Sequence, residues 1–181
     1  MVRDKPSLRE IKHKTLSADL IYAGGGGNTL SMMKIWRRSG FADVIGDAAK
    51  RNIVLSGLCA GALCWFRYGN SGYRRKNAPK NSGTRIKGLG LVNATFSPHH
   101  MQEGEYRMNN LKKIMERTSG VGLAVDDFAA IEINGDQFRI LKSKRHATVK
   151  RVYHSRGKII IERVTASREP RPLTELIERP N

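Results

Sequence analysis

Twice between Asp19 and Leu63 an apolar run breaks off into glycine and resumes with a helical pattern, and this repetition narrows the folds open to the chain. The first unit is "DLIYAGGGGNTLSMMKIWRRSG": a short strand, a turn of four glycines, then a helix capped by Asn28. Leu30, Met33, Ile35 and Trp36 supply the apolar stripe of that helix and Gly40 its stop. A second helix over 41–51 leads into "NIVLSG", a continuous apolar run of the kind found in strands covered on both faces. "AGALCWFRYG" then reads as helix. Two such units in succession predict an α/β fold with a mainly parallel sheet and right-handed crossovers, a three-layer sandwich forming one domain over residues 1–181.

The remaining elements fit around this frame. Residues 1–18 read as a basic lead-in with a short helix near Ser7 to Lys14. The stretch 67–88 is rich in Gly, Asn, Ser and Lys/Arg and reads as a long loop, of a length that is usually functional or mobile, with a plain solvated loop as the simpler reading. "LGLVNATFSPHH" is a strand running into a Pro-His-His turn, and Glu105 to Arg117 is a charged amphipathic helix. "VGLAVDD", "AAIEING", "QFRILKS" and "KIIIERV" read as strands, the middle pair joined at Asn134-Gly135. The last dozen residues hold three prolines, and 168–181 is expected to be a loose tail.

Composition excludes several classes. The apolar residues never approach the run of about 20 that a membrane span needs, and charges occupy the N-terminus where a signal peptide is apolar. A cytoplasmic location with no membrane partner is expected. The two cysteines, Cys59 and Cys64, have neither zinc-site nor redox-pair spacing, and adjacent His99 and His100 lack partners for a metal, so no metal or cofactor is expected. The formal net charge of +17, from 33 Lys and Arg against 16 Asp and Glu, draws anions: an acidic small substrate, or nucleic acid through a basic surface.

The stretch "LSGLCAGALCWF" places Cys59 between small residues where a strand gives way to a helix. A nucleophile raised on such a strained turn needs small neighbours, here Gly57, Ala60, Gly61 and Ala62, because two backbones pass close beside it. A helix beginning at Ala60 would present its positive end to the sulfur and favour thiolate. The bland alternative is a cysteine packed among glycines.

Three segments together resemble the family of peptidase E and cyanophycinase, serine peptidases with a class I glutamine amidotransferase-like fold. "IYAGGGGNTL" is similar to that family's glycine turn ending in Asn-Thr, "GLCAGALCWF" to its Gly-x-Ser-Ala-Gly elbow, and "GLGLVNATFSPHH" to its strand leading to Pro-His. The resemblance covers about residues 17–142. It implies Cys59 at the position of the serine nucleophile and His99 as general base. It also implies an oxyanion hole from the Ala60 N–H and a glycine of the 24–27 run, Gly26 or Gly27, with Asn28 and Thr29 toward substrate. Members cleave peptide bonds next to aspartate, so the implied reaction is hydrolysis of small acidic peptides, and Arg74, Arg75 or Lys76 are candidates to meet a substrate carboxylate.

The chain departs from the family pattern in three ways. Cysteine replaces serine, which also suits a glutamine amidotransferase-like amidase. Between Ala60 and Pro98 there is no Asp or Glu to serve as the third catalytic residue, so Glu103, Glu105, Asp126 and Asp127 are the candidates to orient His99. The region ahead of the glycine turn is also shorter than in the family, which leaves open a truncated copy or one completed as a homodimer, and a member that has lost the reaction and binds nucleic acid or another anion.

Overall fold

The computed structural model describes residues 6–26, 28–72 and 84–180. Its first helix, α1 (Leu8–Leu16), begins in a capping box in which Ser7 and Glu10 bond each other's backbone amides. The chain then enters β1 (Leu20–Ala23), α2 (Thr29–Arg38), α3 (Phe41–Lys50) and β2 (Val54–Gly57). β1 and β2 pair in parallel from Leu20↔Val54 to Ala23↔Gly57. Ile21 and the core residues Ala23, Met33 and Ile45 bring these elements onto one apolar cluster. Leu20, Tyr22 and Val54, on the opposite face of the pair, are exposed.

The helix expected over "AGALCWFRYG" is only one turn, α4 (Ala60–Leu63), and the chain extends at once into β3 (Phe66–Ser71). The physical reason lies in the partners waiting for Cys64 and Trp65. Their carbonyls accept the amides of Leu89, Leu91 and Val92, which draws the backbone out of the helix and into the sheet. Part of the expected 67–88 loop is therefore strand: β3 pairs antiparallel with β4 (Thr84–Lys87).

β5 (Val92–Ser97), α5 (His100–Met115), β6 (Gly122–Val125), β7 (Ala129–Asn134), β8 (Gln137–Lys142), β9 (Val149–Ser155) and β10 (Lys158–Val164) follow. The large sheet has the order β10-β9-β6-β5-β3-β4. Only β3, β5 and β6 run parallel; β4, β9 and β10 pair antiparallel. The expectation of a mainly parallel sheet is corrected to a mixed one, because the chain leaves β6 through hairpins rather than through helical crossovers.

Successive residues of β6 serve opposite faces. Ala124, with Val152 of β9, packs against Leu111, Ile114 and Met115 of α5. Leu123 and Val125, with Val149 and Tyr153, face the main core, which Phe138 and Ile140 of β8 complete. In the β7–β8 hairpin Asn134 pairs with Gln137, so the turn is centred on Gly135-Asp136, one residue later than the expected Asn-Gly, and Gly135 takes the positive φ of 59°.

The expected loose tail is bound to the fold. β11 (Arg171–Pro172) pairs with β8, the Leu173 amide donates to the Asp136 carbonyl, and α6 (Thr174–Ile177) buries Leu176 completely. The prolines that suggested disorder instead frame one short turn of helix. Among the described residues no helix is long and apolar enough to cross a membrane.

Replacing Leu176 by Ala should lower the free energy of unfolding by about 2–4 kcal/mol, as removal of a fully buried leucine does. A urea titration followed by far-UV circular dichroism measures this, and a loss under about 0.5 kcal/mol, typical of a surface position, would mean that the segment is not packed.

Candidate active site

The candidate residues follow the carboxyl ends of strands in two sheets, β1 and β2 in the two-stranded one and β5 and β6 in the six-stranded one. β1 ends in the glycine turn, β2 in Cys59, β5 in His99 and β6 in Asp126 and Asp127. Side chains of open α/β sheets converge on such ends because the connections leave a crevice there.

Cys59 has φ 55° and ψ −113°, a conformation that L-residues rarely adopt. Its surroundings explain how it is held. The Leu58 amide donates to the Ala23 carbonyl at 3.1 Å, tying the end of β2 to the end of β1. A Cβ on Gly61 would lie 1.9 Å from the Ala23 oxygen, and one on Gly57 would lie 2.5 Å from the Gly61 carbonyl carbon, so only glycine fits at either place. A Cβ on Gly25 would stand 3.4 Å from the Cβ of Cys59, which puts the glycine turn directly against the cysteine. Cys59 is half-buried; Cys64 is fully buried, donates to the Gly61 carbonyl at 2.9 Å, and has its thiol pushed up to about 12 by burial.

His99, with φ 64° and ψ 31°, stands just before α5. Its Nδ1 lies 2.9 Å from Asp127 Oδ1, while Asp127 Oδ2 accepts the Gln102 amide at 3.1 Å. Partial burial raises the Asp127 carboxyl, but the bonds from His99 and Gln102 outweigh it and hold the group below its usual range. The other three candidate acids are committed elsewhere or open to solvent. Asp126 Oδ2 accepts the amide and hydroxyl of Thr148, Glu103 pairs with Arg107, and Glu105 is exposed.

Two expectations about the amino end of α2 divide. Asn28 Oδ1 accepts the Ser31 amide at 2.9 Å and caps the helix, whereas Thr29, expected toward substrate, is buried in the packing under that cap. Gly26 is exposed on the turn; Gly27, Arg74, Arg75 and Lys76 lie outside the described residues. The helix behind Cys59 is one turn long, too short for the expected macrodipole to build up.

Sequence reasoning missed a buried polar group beside His99. His100 Nε2 lies 2.8 Å from Ser97 Oγ, which accepts from Asn70 Nδ2 at 2.9 Å. Arg107, only 4% exposed, donates to the Asn70 carbonyl at 3.1 Å, and its Nε has no partner among the described residues. α5 is kinked at Gly104, with φ 49° and ψ −129°, between His100 and Arg107, and nothing local in the sequence marks an arginine as buried. Burial and then the charge of Arg107 lower the His100 pKa to about 4.

The family model of peptidase family S51 matches residues 2–141. An uncharacterized peptidase of Bacillus subtilis (strain 168), YgaJ, is 31% identical over 151 residues, covering 82% of this chain and 62% of that protein. The crystal structure of a peptidase from an acI-B1 Actinobacterium superposes with a TM-score of 0.57 at 17% identity, covering 92% of this chain and 64% of the other. The chain thus spans less than two thirds of the length of both.

Two outcomes follow from this geometry. Iodoacetamide should alkylate Cys59 well before Cys64, read by peptide mass spectrometry over time; equal rates would mean that the turn does not present its sulfur. His100 takes up a proton near pH 6.5 when unfolded but only near 4 when folded, so stability falls as pH drops between those values. Urea midpoints at pH 7 and pH 4.5 should show a loss on the order of 2–3 kcal/mol that His100→Gln largely removes.

Proposed function

The chain belongs to peptidase family S51, and we propose that it hydrolyses short acidic peptides with Cys59 as nucleophile, His99 as general base and Asp127 as the residue that orients His99. The His99–Asp127 pair carries this reading. A carboxylate on Nδ1 fixes the imidazole tautomer and leaves Nε2 to move the proton, which is the division of labour in acyl-transfer triads. The half-buried sulfur on a strained turn supplies the third member.

In the proposed reaction His99 Nε2 accepts the thiol proton as Sγ bonds to the scissile carbonyl carbon. The carbonyl oxygen becomes an oxyanion, and the backbone N–H of Ala60 and of the glycine turn at Gly25–Gly26 are the candidate donors for it. Collapse breaks the C–N bond, and the proton on His99 passes to the departing amine. Water then attacks the thioester, again giving its proton to His99, and the carboxylic acid leaves while the proton returns to Cys59.

Charge supports an acidic substrate. Asp127 is paired with His99, Glu103 with Arg107, and Asp126 with Thr148, so the carboxylates around the site are already engaged. The formal net charge of +17 draws anions to the surface around them.

The test is hydrolysis of the dipeptide Asp-Leu, followed by chromatography of free leucine. Cys59→Ala should reduce the rate to background, and Asp127→Asn should lower kcat by roughly 10²- to 10⁴-fold with little change in fold. Undiminished hydrolysis in Cys59→Ala would sink the assignment of the nucleophile.

A further inference from the structure

Asp127 does not stand alone on its turn. The Ala129 amide donates to the Asp126 carbonyl at 3.2 Å, closing a four-residue turn in which Phe128 takes the third position with φ 67°. That position is the usual place for glycine or asparagine, and a bulky aromatic there is strained. Phe128 gains no burial in return: it is 53% exposed.

The turn is pinned on every side. Asp126 is bound to Thr148, Asp127 to His99 and Gln102, and the Phe128 carbonyl accepts the Ser143 amide at 3.0 Å. The Lys144 ammonium lies over the Phe128 ring, 5.0 Å from its centroid. Lys142, Lys144 and Arg145 are all exposed on the same rim, in a stretch with no acid between Asp136 and Glu162. A rigid, strained, solvent-facing aromatic with a cation upon it therefore flanks the residue that holds the base.

The direction of the chemistry says what faces this rim. The histidine that takes the nucleophile's proton must later give a proton to the leaving amine, so the leaving residue departs on the His99 side of the scissile bond. We infer that Phe128 and Lys144 form the subsite for the leaving residue of a short peptide, the ring taking its apolar side chain and the ammonium its C-terminal carboxylate. The inference rests on the proposed reaction in placing the scissile bond between Cys59 and His99. The ammonium already over the ring has only to lean outward to meet an incoming carboxylate, and the ring beneath it stays where the turn fixes it.

Binding to the full chain carrying Cys59→Ala tests this without turnover, with Asp-Leu, its C-terminal amide and Asp-Gly as probes in calorimetric titrations. Asp-Leu should bind about fivefold more tightly than the amide, as expected of one partly exposed ion pair. Adding Lys144→Gln should bring that ratio near one. Adding Phe128→Gly should weaken Asp-Leu about tenfold and Asp-Gly little, while the melting temperature holds or rises because glycine relieves the positive φ. Equal binding of acid and amide, no binding of Asp-Leu, or a Phe128→Gly chain that melts several degrees lower with affinity intact would overturn the subsite. Should the unmutated chain fail to cleave Asp-Leu while these preferences persist, the reaction falls and the subsite stands.

Discussion

The contact on which the site depends is backbone against backbone: Gly61 at the start of α4 lies so close to the Ala23 carbonyl that a side-chain carbon would be 1.9 Å from the oxygen. Gly57 meets Gly61 almost as closely, so β1, β2 and α4 are locked together without intervening side chains. Cys59 lies inside this knot and cannot relax to an ordinary conformation without parting two strands from a helix. The strain is thus stored by packing that forms anyway when Met33, Ile45 and Leu63 enter the core. Glycine at these two positions is a requirement of distance rather than of dihedral freedom.

The other half of the site is held by polar groups. His99 also carries a positive φ, and what fixes its ring is the carboxylate of Asp127, itself anchored by the Gln102 amide one turn into α5. The next residue, His100, turns inward to Ser97, where burial and Arg107 keep it neutral near pH 7. Two adjacent histidines therefore divide into one partly open to solvent and one locked in the interior, because the left-handed conformation of His99 swings the chain into α5 between them. The neutral neighbour adds no positive charge beside the imidazole of His99.

Much of this was legible because it is local. The first two strands, the Asn28 cap, α3 and the cysteine turn follow from apolar periodicity broken by glycine, and the three quoted segments identify the family. What was hidden depends on distant partners. α4 stops after one turn because carbonyls at 64 and 65 are claimed by residues 89–92. β9 went unseen because Lys150, Arg151 and His154 make it read as surface, although it is paired on both sides by β6 and β10 and buries Val149, Val152 and Tyr153. The C-terminal prolines read as disorder because nothing local reveals the edge of β8 on which they dock. The orienting acid was narrowed to four candidates by their nearness in sequence to His99 and the β6 end, and only the fold separates Asp126, which faces Thr148, from Asp127, which faces His99.

That separation also explains how a chain of net charge +17 can keep a carboxylate paired with His99. A surplus of cations lowers carboxyl pKa values generally, but it also tempts a surface acid into competing ion pairs. Asp127 avoids this because both of its oxygens are occupied from within, by a ring nitrogen and a backbone amide, while Lys142 turns to the Arg145 carbonyl and Lys144 to the Phe128 ring. The cationic rim and the carboxylate bound to His99 thus lie close together without neutralising one another. The turn from Asp126 to Ala129 is the device that keeps them apart, since it points one carboxylate to the fold, one to the base, and an aromatic to the outside.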